Sequence, residues 1–107
     1  MTILDKYVAG LNSGDADQVA SLFAEDCKFD DGGARPFGFD DLAVEGRENL
    51  RAALQGVFGS AAVKATIIKQ NPNSMEYDVN LGELSIPCIG AVSVKDGLIQ
   101  EYIVRPR

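Results

Sequence analysis

The chain contains no histidine. That excludes imidazole acid–base catalysis, histidine metal sites, and Ser-His or Cys-His nucleophile pairs. Cysteine is scarce: Cys27 and Cys88 stand far apart and neither has a CxxC partner. They read as small core residues and not as a disulfide, which fits a reducing, cytoplasmic setting. Positive charge is also short. Ten Lys and Arg face sixteen Asp and Glu, for a net charge of −6. The ten are scattered, so no basic patch can neutralise phosphates, and nucleic acid is excluded as a partner. No apolar run approaches the ~20 residues of a membrane span. The opening "MTILDKYVAG" carries Asp5 and no long apolar run, so it does not read as a signal peptide. No metal or cofactor site is expected. Repeats, low-complexity stretches and linkers are missing too, and the 107 residues read as one domain, 1–107.

The sequence contains three helical and about five strand-like segments. Thr2 and Asp5 form a capping pair, after which Ile3, Leu4, Tyr7, Val8 and Leu11 share a helical face. "NSG" closes that helix at Gly14. Asp15 caps a second helix with Gln18 three residues on, and Val19, Leu22 and Phe23 form its stripe. "CKFDD" is a short strand. The connection "GGARPFGFDDLAVEG", rich in glycine and interrupted by proline, is expected to hold no regular element. A connection of that length suits a binding loop or lid, or a cap on one end of the core. Arg47 to Phe58 is the third helix, with Leu50, Leu54, Val57 and Phe58 inward and Gly59 as its stop. The remainder is β: "VKATIIKQ", "MEYDVNL", "LSIPCIGAVSV" with a bend near Pro87 and Gly90, and "LIQEYIVR" after a "KDG" hairpin turn. Helices first and antiparallel strands last make the class α+β.

Strand alternation separates two adjacent acids. Cys27, Phe29 and Asp31 share one face, while Lys28 and Asp30 share the other. Asp31 thus inherits the core-facing direction and Asp30 the solvent-facing one. An inward carboxylate in apolar surroundings is a tuned general base. The other reading of "DDGG" is a turn that Asp31 caps. Tyr7 has two readings as well: packing, or a hydroxyl aimed into a pocket.

The stretch "YVAGLNSGDADQVASLFAEDCKFDD" resembles the bacterial ketosteroid isomerases, within the superfamily of NTF2-like and SnoaL-like domains. "GRENLRAAL" is similar to that superfamily's third helix and "VKDGLIQEYIV" to its closing hairpin. The resemblance implies a cone-shaped α+β barrel, with three helices packed on a curved antiparallel sheet. It also implies that Tyr7 donates to a developing enolate oxygen and that Asp31 shuttles the proton. The isomerases' second oxyanion donor, an aspartate on a later strand, has no counterpart. Gly90, or its neighbour Ile89, stands there, and neither donates through a side chain. Relatives that hydrolyse epoxides pair aspartates with an arginine, for which Arg35, Arg47 and Arg51 are available. Dehydratases of the superfamily rely on histidine.

The function expected from these readings is proton transfer next to a carbonyl on a small hydrophobic, steroid- or polyketide-like substrate. The catalytic pair is Asp31 and Tyr7. Phe23, Phe29, Phe37, Phe39, Phe58, Met75 and Tyr77 are the expected substrate-binding residues. The alternative is a module that binds a small hydrophobic ligand, or only dimerises, without catalysis. A homodimer is expected in either case, through an outer sheet face holding Ile99, Ile103 and Tyr77.

Overall fold

Thr2 starts the first helix by a reciprocal exchange. Its hydroxyl accepts from the Asp5 amide at 3.1 Å, and the Asp5 carboxylate accepts from the Thr2 amide at 2.9 Å. Two backbone donors that a helix end leaves orphaned are satisfied this way. Helix α1 runs Ile3–Ser13 and stops where Gly14 turns left-handed, at φ 66°. Asp15 then caps the short α2, Ala16–Ala20, through the Gln18 amide. The elements that follow are β1 (Phe23–Asp31), β2 (Leu42–Glu45), α3 (Arg47–Ser60), β3 (Val63–Asn71), β4 (Ser74–Leu81), β5 (Leu84–Lys95) and β6 (Leu98–Pro106). The computed structural model describes every residue from Met1 to Arg107.

Strand order in the sheet is β2-β1-β6-β5-β4-β3. Strands β3 to β6 form an antiparallel meander, while β1 lies parallel to β6 and antiparallel to β2. The sheet is therefore mixed and open, with β2 and β3 as its edges, where the sequence reading expected an antiparallel barrel. The parallel pair joins the first strand to the last, so no hairpin turn announces it. The helices cover one face. Leu4, Tyr7 and Leu11 of α1 and Leu50 and Leu54 of α3 pack on the inward residues of the strands. Asn12 fastens α1 to β3 by imitating a neighbouring strand. Its Oδ1 accepts from the Ala65 amide at 2.7 Å and its Nδ2 donates to the Ala65 carbonyl at 3.0 Å.

Several boundaries move. Phe23 does not belong to the stripe of α2. That helix ends at Ala20, and Phe23 opens β1 as a fully buried core ring. The 32–46 connection is not devoid of structure. It holds a 3₁₀ turn, Arg35–Phe37, entered through Pro36, and the strand β2, whose four residues pair only with β1. Helix α3 passes Gly59 and ends after Ser60, whose hydroxyl donates to the Gly56 carbonyl. Strand β5 keeps one register with β4 through Pro87 and Gly90, and its irregularity falls later, at Ser93 and Val94 against β6. Tyr77 and Ile99 are core residues and cannot form an outer face. The outward phase of β5 and β6 instead presents Ile89 and Ile103. No helix is long and apolar enough to cross a membrane.

Candidate active site

The last two residues of β1 point to opposite sides of the sheet. Asp31 lies beside the buried Val104 of β6, and Asp30 beside Ile103. On the outer side Asp30 is not simply solvated, because Arg105 holds it in an ion pair at 3.0 Å. On the inner side Asp31 borders a cavity of about 220 Å³, fifteen of whose seventeen lining residues are hydrophobic. Its walls come from α1 (Tyr7, Leu11), α3 (Leu54, Val57, Phe58), β4 (Tyr77, Val79, Leu81) and β5 (Ile86, Cys88). Phe29 of β1, Val63 of β3 and the 32–46 segment (Ala34, Phe39, Asp40 and Leu42) complete it.

Asp31 both caps the "DDGG" turn and keeps the inward direction. The Gly33 amide donates to Asp31 Oδ1 at 2.9 Å, closing the turn, yet the side chain still borders the cavity. Gly33 also packs tightly: a Cβ there would stand 2.7 Å from Cys88 Sγ and 3.2 Å from Asp31 Oδ1. Burial raises the Asp31 pKa above the ordinary carboxylate value. The Gly33 hydrogen bond opposes that shift, the charges of Asp30 and Asp41 add to it, and Arg105 opposes it. A carboxylate so placed accepts a proton more readily than an exposed one.

Tyr7 is buried, and its ring meets Tyr102 edge-on with centroids 4.7 Å apart. Burial first, then the neighbouring Tyr102, Asp31 and Cys88, push its ionisation well above the usual tyrosine range. It therefore keeps its proton and is a hydrogen-bond donor at any physiological pH. Cys88 is likewise pushed up to about 12, by burial first and then by Asp31, so it lines the cavity as a neutral thiol.

Of the expected substrate-binding residues, Phe29, Phe39, Phe58 and Tyr77 line this cavity. Phe23, Phe37 and Met75 do not. Phe23 and Met75 are sealed in the core, and Phe37 is 43% exposed on the 3₁₀ turn. Arg35, Arg47 and Arg51 do not reach it either. Arg35 is engaged with Asp41, Arg51 with Glu48, and Arg47 points to the Phe23 carbonyl. Val79, Ile86 and Cys88 are among the lining residues that sequence reasoning did not assign to the site. The alternation of β4 and β5 carried the signal, since Val79 pairs with Ile86 and Tyr77 with Cys88 across the two strands.

A family model described as a SnoaL-like domain matches residues 4–102. Among solved structures, a Kribbella flavida protein provisionally named a ketosteroid isomerase superposes with a TM-score of 0.75 at 19% identity, covering 98% of this chain and 75% of that one. A Catenulispora acidiphila protein described as having a ketosteroid isomerase-like fold, solved in complex with trimethylamine, gives 0.76 at 16% identity, over 97% of this chain and 85% of that one. An epoxide hydrolase of M. tuberculosis, described as LEH-like, gives 0.73 at 17% identity, over 98% and 80%. At such identities the likeness is one of fold. No curated protein matches the sequence.

Proposed function

The chain belongs to the SnoaL-like domain family, and from that premise we propose that it is an enzyme that moves a proton next to a carbonyl, with Asp31 as the general base. Asp31 takes a proton from the carbon beside the carbonyl, and the electron pair moves onto oxygen to give an enolate. The Tyr7 hydroxyl hydrogen-bonds that oxygen. Asp31 then returns the proton to a different carbon of the same substrate. One observation carries the reading: a carboxylate made more basic by burial borders a largely apolar cavity that Tyr7 also lines.

The cavity bounds the substrate. At about 220 Å³ it is smaller than the ~300–1,000 Å³ typical of sites for drug-sized ligands. A compound of one or two rings suits it better than a four-ring steroid. Its charged residues are Asp31 and Asp40, with no lysine or arginine, which disfavours anionic substrates. No arginine lines the cavity, since Arg105 pairs with Asp30 on the outer side, and this sets the cavity apart from the aspartate–arginine arrangement associated above with epoxide hydrolysis.

The test is isomerisation of β,γ-unsaturated ketones of one, two and four rings, followed by the ultraviolet absorbance of the conjugated product. Wild type should be faster than Asp31→Asn and Tyr7→Phe, most clearly on the smaller ketones. Wild-type rates no better than those of Asp31→Asn overturn the proposal. A second reading, ligand binding without turnover, is favoured by Gly90 where the isomerases carry an acid.

A homodimer and a cytoplasmic location belong to the same proposal. Ile89 and Ile103 on the outward sheet face support the first, and two free, buried thiols support the second. Light scattering showing a monomer at high concentration would overturn the dimer.

A further inference from the structure

Gly90 stands on the inward phase of β5 with Ile86, Cys88 and Val92. The space its missing side chain leaves is occupied by Tyr102 of β6. A Cβ built on Gly90 would stand 2.8 Å from Tyr102 Cε1 and nearer still to the hydroxyl. Tyr102 reaches across Gly90 to Tyr77 of β4, and the two hydroxyl oxygens are 2.8 Å apart. Both rings are buried, yet only Tyr77 lines the cavity.

A phenol has one proton to donate. The Tyr102 hydroxyl is buried away from the cavity, and Tyr77 is its sole partner. If Tyr77 donated to Tyr102, the Tyr102 proton would be buried without an acceptor, at the full cost of an unmade hydrogen bond. The favoured arrangement has Tyr102 donating to Tyr77, which leaves the Tyr77 proton free. That proton's outlet is the cavity. Asp31 raises the ionisation of Tyr7, Tyr77, Tyr102 and Cys88 alike, so the phenols share a neighbourhood with the carboxylate.

We propose that Tyr77 is a second hydroxyl donor to the ligand oxygen, with Tyr102 as its positioning residue and Gly90 as the gap that admits Tyr102. Two phenols, Tyr7 and Tyr77, thus take one oxygen where a phenol and an acid would otherwise do so. This rests on the reading of the cavity as a site for a carbonyl compound, and it does not require Asp31 to act as the base.

The test compares 2-naphthol, whose oxygen imitates an enolate, with naphthalene, which has none. Fluorescence titration across pH gives the affinity of each and the pKa of the bound naphthol. Tyr77→Phe should weaken 2-naphthol about tenfold while leaving naphthalene unchanged, and should raise the bound naphthol's pKa. Tyr102→Phe and Gly90→Ala should each reproduce a weaker form of the same pattern, about threefold. Equal loss of both probes in Tyr77→Phe, or no loss of 2-naphthol, overturns the proposal. So does failure of the wild type to bind either probe. If the naphthol pattern holds while Asp31→Asn turns over ketones as fast as wild type, the second donor stands and the base assignment falls.

Discussion

The Gly33 amide holds Asp31 Oδ1 at 2.9 Å, two residues after the carboxylate it restrains. The proposed base and its anchor are thus neighbouring features of one strand end and its turn. One carboxylate oxygen is occupied by the backbone, which leaves the other for the proposed proton transfer.

Stability should depend on pH through Asp31. Its folded pKa lies above the ordinary value of 3.8, with burial as the main cause. The folded state therefore binds this proton more tightly than the unfolded chain. The stabilisation is complete below the ordinary value and is lost as pH rises through the raised one. Asp31→Asn, which can still accept from Gly33, should be more stable than wild type at pH 7, by up to about 1 kcal/mol. That gain should vanish near pH 3. Thermal melts at both pH values check it.

The proposed activity should have the opposite dependence, because Asp31 could act as its base only when ionised. The rate should fall as pH drops, with a midpoint above the usual carboxylate range. Asp31→Asn should lose about 10²–10⁴-fold in kcat. A pH–rate profile with its acid limb at an ordinary aspartate value would contradict the burial argument.

Tyr7→Phe should cost on the order of 10²–10³ in kcat with little change in melting temperature, since the ring and its packing on Tyr102 remain. Its effect should be confined to ligands that carry an oxygen. Naphthalene affinity measured beside 2-naphthol affinity separates lost donation from lost packing.

Asn12→Ala should destabilise the fold by about 1–3 kcal/mol, because it strips partners from both the amide and the carbonyl of Ala65. Denaturant unfolding measures it. Asn12→Asp restores the acceptor alone and should recover part of the loss.

Arg35 and Asp41 form a two-pronged contact, at 2.8 and 2.6 Å, across the base of the loop that carries Phe39. Both are exposed, so Asp41→Asn should leave the melting temperature nearly unchanged. Phe39 borders the cavity from that loop, so naphthalene should bind several-fold more weakly to the variant. Unchanged affinity would mean that the loop keeps its position without the pair.

Local features were legible in the sequence because short-range chemistry decides them. The Thr2–Asp5 box, the left-handed Gly14 and the inward phase of Asp31 each follow from a few neighbouring residues. The fold class was readable from the order of the segments. What escaped depends on partners distant in the chain. Strand β2 is four residues of unexceptional composition that become a strand because β1 offers an edge. The direction of β1 against β6 leaves no local mark. Phe23 and Met75 are aromatic or soft residues like those in the cavity wall, and only packing shows that the core absorbs them. Gly90 looked like an omission, and becomes intelligible only with Tyr102 lying over it.

The parallel pairing of β1 with β6 sets the order in which the molecule can be assembled. Asp31 takes its place beside Val104, near the other end of the chain. A contact between such distant residues closes late and slows folding. During synthesis the meander of β3 to β5 can form before the final strand is made, but the carboxylate has no seat until that strand docks. The seat of the proposed base is thus fixed by a strand that contributes no side chain to the cavity wall, since every lining residue precedes β6.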